Sequence, residues 1–279
     1  RGCIFQCEID ITTGKRLTES RPIWKGSGGR YIESPHMYHF GDWYYLMVAE
    51  GGTEYGHMVT YARSKDPYGP FEAYAQNPVL TNRNLGGNEN HIQGIGHGDL
   101  IETPYGETFM VCLGFRIQSD WMPFHHLGRE VFLVPVTWDK NGWFTAGVDG
   151  TVQTVMDQPL KASEQKINGR YDVSFETIKN EPQRFCHLRE YHPECYEFTE
   201  NSVTLLGNRF TLNDTESPTF LGVRQSEFDT ELTVSLTGNS PEAGITFYLS
   251  EEHHYDLAVL CKEKKRTLIL RLRIGDAVM

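Results

Sequence analysis

Apolar and polar positions along the chain almost never fall at the three-to-four-residue interval of a helix. Short apolar and aromatic runs are instead separated by turn residues, the pattern of strands. Residues 35–48 show it clearly. Pro35, His36, Met37, Tyr38, His39 and Phe40 lead to a Gly41-Asp42 turn, and an apolar run from Trp43 to Val48 follows. Residues 99–112 repeat the arrangement around a Tyr105-Gly106 turn. Each hairpin precedes a long loop and a further strand-like run, His57 to Arg63 in one case and Glu130 to Val136 in the other. A second echo links 5–14, which closes on Thr12-Thr13-Gly14, to 132–142, which closes on Asp139-Lys140-Asn141-Gly142. Repeated four-stranded units joined by long loops predict a β-propeller, here roughly two whole blades and the tail of another.

The pattern changes near residue 150. Residues 151–183 are polar, contain Pro159 and Pro182, and read as a linker. Beyond them, runs at 202–206, 219–223, 230–236, 244–249, 255–261 and 267–274 alternate with period two, as in a β-sandwich. The expected fold is therefore all-β: an incomplete propeller over 1–155, then a truncated sandwich over 156–279. The chain opens at Arg1 inside one strand-like run and stops at Met279 close behind another, so it reads as a fragment of a longer protein.

Charge narrows the partners. Lysine and arginine total 26 against 37 acidic residues, a net charge of -11, which argues against nucleic acid and against an anionic membrane surface. No apolar stretch approaches the ~18 residues of a spanning helix. Fifteen Phe, 14 Tyr and 5 Trp suit a neutral, apolar-faced ligand such as a sugar. Cys3 and Cys7 would sit about 13 Å apart on a strand, beyond the roughly 7 Å reach of a disulfide. Cys112 and Cys261 lie in apolar runs, and only Cys186 and Cys195 are candidates to pair. That usage favours a cytoplasmic location over a periplasmic or secreted one.

Candidate chemistry concentrates in Gly28-Gly29-Arg30-Tyr31-Ile32-Glu33-Ser34-Pro35-His36. A carboxyl after a glycine turn, at the mouth of a strand and beside aromatics, is the setting of a general acid; the plainer alternative is a surface Glu33 paired with Arg30. The glycine-rich stretch from Ala49 to His57 lacks phosphate-loop spacing and reads as a long, mobile connection that either lines a pocket or does not. His97, between Gly96 and Gly98 before a strand, is either a hydrogen-bonded structural residue or a site residue. Arg129 either binds sugar hydroxyls through its planar fork or pairs with Glu130. His125 and His126 lack the spacing of known zinc sites, and no serine-hydrolase elbow occurs.

Taken together these stretches resemble glycoside hydrolase family 43. The likeness is carried by residues 30–38, 44–53, 56–60 and 62–64, by Asn77-Pro78-Val79-Leu80-Thr81, by Gly96-His97-Gly98-Asp99-Leu100, by Leu127-Gly128-Arg129-Glu130 and by Pro135-Val136-Thr137-Trp138. It is nearest the β-xylosidase and α-L-arabinofuranosidase branch with a C-terminal concanavalin-like β-sandwich, whose opening core strands Ser217-Pro218-Thr219-Phe220-Leu221-Gly222 resemble. The resemblance implies a five-bladed propeller with its site at the hub, inverting hydrolysis of xylan- or arabinoxylan-derived oligosaccharides, and no required cofactor; whether a structural calcium ion sits near His97 is left open. It makes Glu33 the general acid, His97 the hub histidine, and Thr53 and Arg129 sugar-facing residues. Ser34 replaces the glycine usual after the acid. The base aspartate and the aspartate that tunes the acid have no counterpart here. Inversion needs two carboxyl groups about 6.5–9.5 Å apart, so the fragment alone is expected to be inactive. The contrasting expectation is a carbohydrate-binding propeller without catalysis.

Overall fold

The computed structural model describes residues 2–85, 91–118, 124–156, 174–200, 202–238 and 240–279. The chain divides into two compact units, 1–163 and 164–279. Among the described residues secondary structure is almost wholly β, and no helix is long and apolar enough to cross a membrane.

The first unit opens with a short antiparallel pair, β1 (Ile4–Gln6) and β2 (Arg21–Trp24). A four-stranded antiparallel sheet follows, built in order from β3 (Glu33–Phe40), β4 (Trp43–Glu50), β5 (Met58–Ser64) and β6 (Glu72–Ala73). A second has the same form, from β7 (Ile92–Glu102), β8 (Thr108–Arg116), β9 (Glu130–Trp138) and β10 (Phe144–Ala146). Both expected hairpins are present. Gly41 adopts φ 57° in the two-residue turn that pairs Phe40 with Trp43, a conformation costly for residues with a Cβ.

Every residue of β5 is buried, so this strand is enclosed on both faces, which is why its apolar run does not alternate. Met47, Tyr61, Ile95, Met110, Val134 and Phe144 belong to the core shared by the two sheets. Side chains of the first sheet also bond backbone of the second. Tyr61 Oη donates to the Phe144 carbonyl at 2.9 Å and accepts from the Phe144 amide at 2.8 Å. Tyr38 Oη accepts from the Leu100 amide, and Tyr45 Oη donates to the Gly142 carbonyl. Buried Asn82 likewise donates to the Ile92 and Val152 carbonyls and accepts from the Val152 amide.

The glycines around His97 correct one expectation. They lie inside β7, which begins at Ile92, and not ahead of a strand. Pairing with β8 slips between Gln93 and Gly96 and again between Gly96 and Asp99. A Cβ on Gly94 would come within 2.2 Å of the Phe115 ring, and one on Gly96 within 2.4 Å of the His57 ring. These glycines admit neighbouring rings.

In the second unit, Ser174 caps a short helix, α1 (Phe175–Asn180). Residues 157–173, most of the expected linker, lie outside the described residues. Next come β11 (Phe185–Cys186), β12 (Tyr196–Phe198), β13 (Val203–Leu205) and β14 (Gly222–Val223), with β11 pairing β14 and β12 pairing β13. The main sheet runs in order through β15 (Glu242–Ser250), β16 (His253–Lys262), β17 (Lys265–Ile274) and β18 (Ala277–Val278). One expected strand is absent and another is cut short. Residues 230–236 form none, and 219–223 contribute only β14. An alternating pattern marks a half-buried chain but supplies no ladder partner, and Leu232, Val234 and Leu236 remain exposed. Cys186 and Cys195 are both free thiols.

Candidate active site

Glu33 is the first residue of β3, where it pairs with Ala49 at the end of β4 and exposes its side chain. The register slips between Glu33 and His36, and Ser34 takes φ 50°, so the strand entrance is bent at the carboxyl-bearing residue. Arg30 does not pair with Glu33. Its guanidinium meets the Glu54 carboxylate and donates from Nε to the Gly51 carbonyl, while the Gly51 amide donates to the Arg30 carbonyl. The glycine-rich stretch after β4 is thus tied to the segment carrying Glu33, in contrast to the mobile connection its composition suggested.

Beneath both lies Glu50, fully buried. Oε1 accepts from the Ser27 amide at 2.7 Å, the Ser27 hydroxyl at 3.0 Å and the Thr60 hydroxyl at 2.6 Å, and Oε2 accepts from the Gly29 amide. A buried carboxylate is costly unless bonded in this way.

His57 closes the loop and is also fully buried. Its Nδ1 lies 3.0 Å from the Gly94 carbonyl oxygen, and its Nε2 has no hydrogen-bond partner among the described residues. Burial pushes the imidazole below its ordinary pKa. The Gly94 bond opposes that shift, the His97 charge adds to it, the Glu33 carboxylate opposes it and the Arg129 charge adds to it. His57 therefore lies within electrostatic reach of three residues singled out from sequence: Glu33, His97 and Arg129. His97 is exposed in the β7 irregularity at φ 53°.

The fourth, Thr53, shares an open cleft of about 580 Å³ with Arg129. Glu130 does not pair with Arg129; Arg116 holds it through Nε and Nη2, each at 2.9 Å. Tyr55, Phe115 and His125 also line the cleft. The His125 ring stacks on Phe115 at 4.1 Å between centroids, and Tyr55 meets Phe115 edge-on at 5.2 Å. Burial, and then the neighbouring His126, lowers the His125 pKa; burial raises that of Tyr55. An apolar ring wall beside Thr53 and an arginine fork suits a sugar, with its apolar faces and hydroxyl edge. Among the described residues no group of three or more His, Cys, Asp or Glu side chains is placed to hold a metal. Calcium also takes backbone and amide carbonyl oxygens, so this does not bear on the ion expected near His97, and no step below depends on one.

Residues 2–144 match the sequence profile of Glycosyl hydrolases family 43. The chain belongs to this family. Residues 173–277 match the Beta xylosidase C-terminal Concanavalin A-like domain that accompanies it here. Among family 43 relatives, the chain is 35% identical to a non-reducing end alpha-L-arabinofuranosidase of Bacteroides ovatus, over 97% of this chain and 51% of that protein. It is 30% identical to a xylosidase/arabinosidase of Butyrivibrio fibrisolvens, over 99% of this chain and 53% of the relative. A solved Bacteroides ovatus GH43B structure superposes with a TM-score of 0.85 at 33% identity, covering 100% of this chain and 56% of that one. The chain thus spans about half the length of the curated relatives it matches.

Proposed function

We propose that this chain is part of an inverting glycoside hydrolase that releases xylose or arabinose from xylan- or arabinoxylan-derived oligosaccharides. The observation that carries this reading is that the charges of Glu33, His97 and Arg129 all bear on the buried His57 imidazole, while Arg129 and Thr53 line one open cleft. The relatives' names, xylosidase and arabinofuranosidase, support the substrate class. In this reading 1–155 contribute blades of a five-bladed propeller and 156–279 part of a β-sandwich.

Glu33 is the general acid, giving its proton to the glycosidic oxygen as the bond to the anomeric carbon breaks. Arg129 and Thr53 hold the sugar's hydroxyl edge, and His97 faces the sugar from the β7 irregularity. A water activated by a second carboxylate attacks the opposite face. No residue of this chain is assigned as that base, so residues 1–279 alone do not turn the sugar over.

The test uses the full-length product of the encoding gene. It compares nitrophenyl β-xyloside and nitrophenyl α-arabinofuranoside with xylo-oligosaccharides, for wild type and Glu33→Gln. Nitrophenolate leaves without much acid assistance, so the variant should keep most of its aryl-glycoside rate and lose about 10²- to 10⁴-fold on oligosaccharides. A wild-type protein that binds these sugars and cleaves none would make the propeller a carbohydrate-binding module and Glu33 a pocket residue.

A further inference from the structure

Four donors converge on the Glu50 carboxylate: the Ser27 amide and hydroxyl, the Gly29 amide and the Thr60 hydroxyl. Each carboxylate oxygen faces one backbone amide that can only donate, and the side chain is fully enclosed, so it cannot reach a substrate. The backbone of 26–29 is wrapped closely on these oxygens. A Cβ on Gly29 would fall 2.5 Å from Oε2, and one on Gly26 would fall 2.6 Å from Oε1.

Two segments leave this anchor. One runs from Gly29 through Arg30, Tyr31 and Ile32 to Glu33. The other continues from Glu50 through Gly51 and Gly52 to Thr53. They are joined again one residue further on by the paired bonds between Arg30 and Gly51 and by the Arg30–Glu54 ion pair. The second segment is itself closed, since a Cβ on Gly51 would strike the Gly56 carbonyl at 1.9 Å. Glu33 and Thr53 thus hang from one carboxylate by short, doubly fastened tethers.

We propose that Glu50 is the positioning residue of this site: its buried carboxylate fixes the proton donor Glu33 and the sugar-facing Thr53 relative to each other. This rests on the reading of Glu33 as general acid. Proton donation to a leaving oxygen is sensitive to placement, and a displacement near 1 Å can cost about a hundredfold. Glutamine at position 50 would turn its NH2 group on the backbone amide of either Ser27 or Gly29, neither of which can accept, so one contact must open. The segment carrying Glu33 would then loosen while Glu33 keeps its carboxyl.

A merely structural Glu50 and a positioning Glu50 differ in one measurable ratio. The experiment determines kcat on xylo-oligosaccharides and on nitrophenyl xyloside for the full-length wild type, Glu33→Gln and Glu50→Gln, with the folded fraction of each checked by tryptophan fluorescence. If Glu50 positions the acid, Glu50→Gln lowers the oligosaccharide rate at least tenfold more than the aryl rate, as a weaker copy of Glu33→Gln. Equal losses on both substrates, or no loss on either, would overturn the proposal while leaving Glu33 as the acid. A Glu33→Gln variant without leaving-group dependence would overturn the acid reading and the positioning role with it. Should Glu50→Gln not fold, Ser27→Ala removes the hydroxyl donor at Oε1 and decides by the same ratio: a fall of about threefold supports the proposal, and an unchanged ratio overturns it.

Discussion

The Gly94 carbonyl beside His57 Nδ1 can only accept, so the proton of the neutral ring sits on Nδ1 and the enclosed Nε2 is left with its lone pair. Burial favours that neutral form, and the folded-state pKa lies below the ordinary 6.5. As pH falls, the unfolded chain therefore takes up a proton first. The stability associated with this group is complete above about pH 6.5 and is lost as pH drops from there toward the folded-state value. His57→Asn retains an N–H for the Gly94 carbonyl but cannot titrate. Urea unfolding at pH 7.5 and 5.5 should show a smaller acid-side loss for this variant than for wild type, and equal losses would remove His57 as a source of the slope. All five tryptophans precede residue 150, so their fluorescence follows the first unit. Glu33, Thr53, His97 and Arg129 could be proposed from sequence because each lies in a recognisable motif. His57 and Glu50 stood within quoted motifs and were given no role, because their significance lies in burial and in partners at Gly94, Ser27 and Thr60.

Among strands, the two that border the site carry left-handed residues with side chains. Ser34 in β3 and His97 in β7 have φ of 50° and 53°, and Tyr31, just ahead of β3, has 53°. Such conformations cost about 1–2 kcal/mol for a residue with a Cβ and collect where a site needs an unusual backbone path. Ser34→Gly should relieve that cost against about 0.5–1 kcal/mol of added chain entropy, a net stabilisation of about 0.5–1 kcal/mol. A urea-midpoint comparison with Ser34→Ala checks it: alanine keeps the strain and should not share the gain, and a loss in Ser34→Gly would show that the serine side chain outweighs the strain. The hairpins at 41–42 and around 106 were readable because glycine turns between apolar runs specify a strand pair locally. The length of β7 and the absence of a strand over 230–236 were not, since both depend on a partner distant in sequence.

For the whole molecule, composition and pattern sufficed for an all-β chain, and the family follows from ordered motifs spread over most of its length. Invisible in any pattern was how the two four-stranded sheets of the first unit are fastened. Tyr61 belongs to β5, yet its hydroxyl shields the amide of Phe144 at the start of β10. That amide is guarded by a side chain of the other sheet, so it becomes a clock for separation of the two. In hydrogen exchange, Tyr61→Phe should speed deuterium uptake at Phe144 by roughly tenfold while the β9 amides keep their pace. In the wild type, Phe144, Leu100 and Val152, each covered by a side-chain oxygen of Tyr61, Tyr38 or Asn82, should exchange together, as a seam that opens along its whole length or not at all.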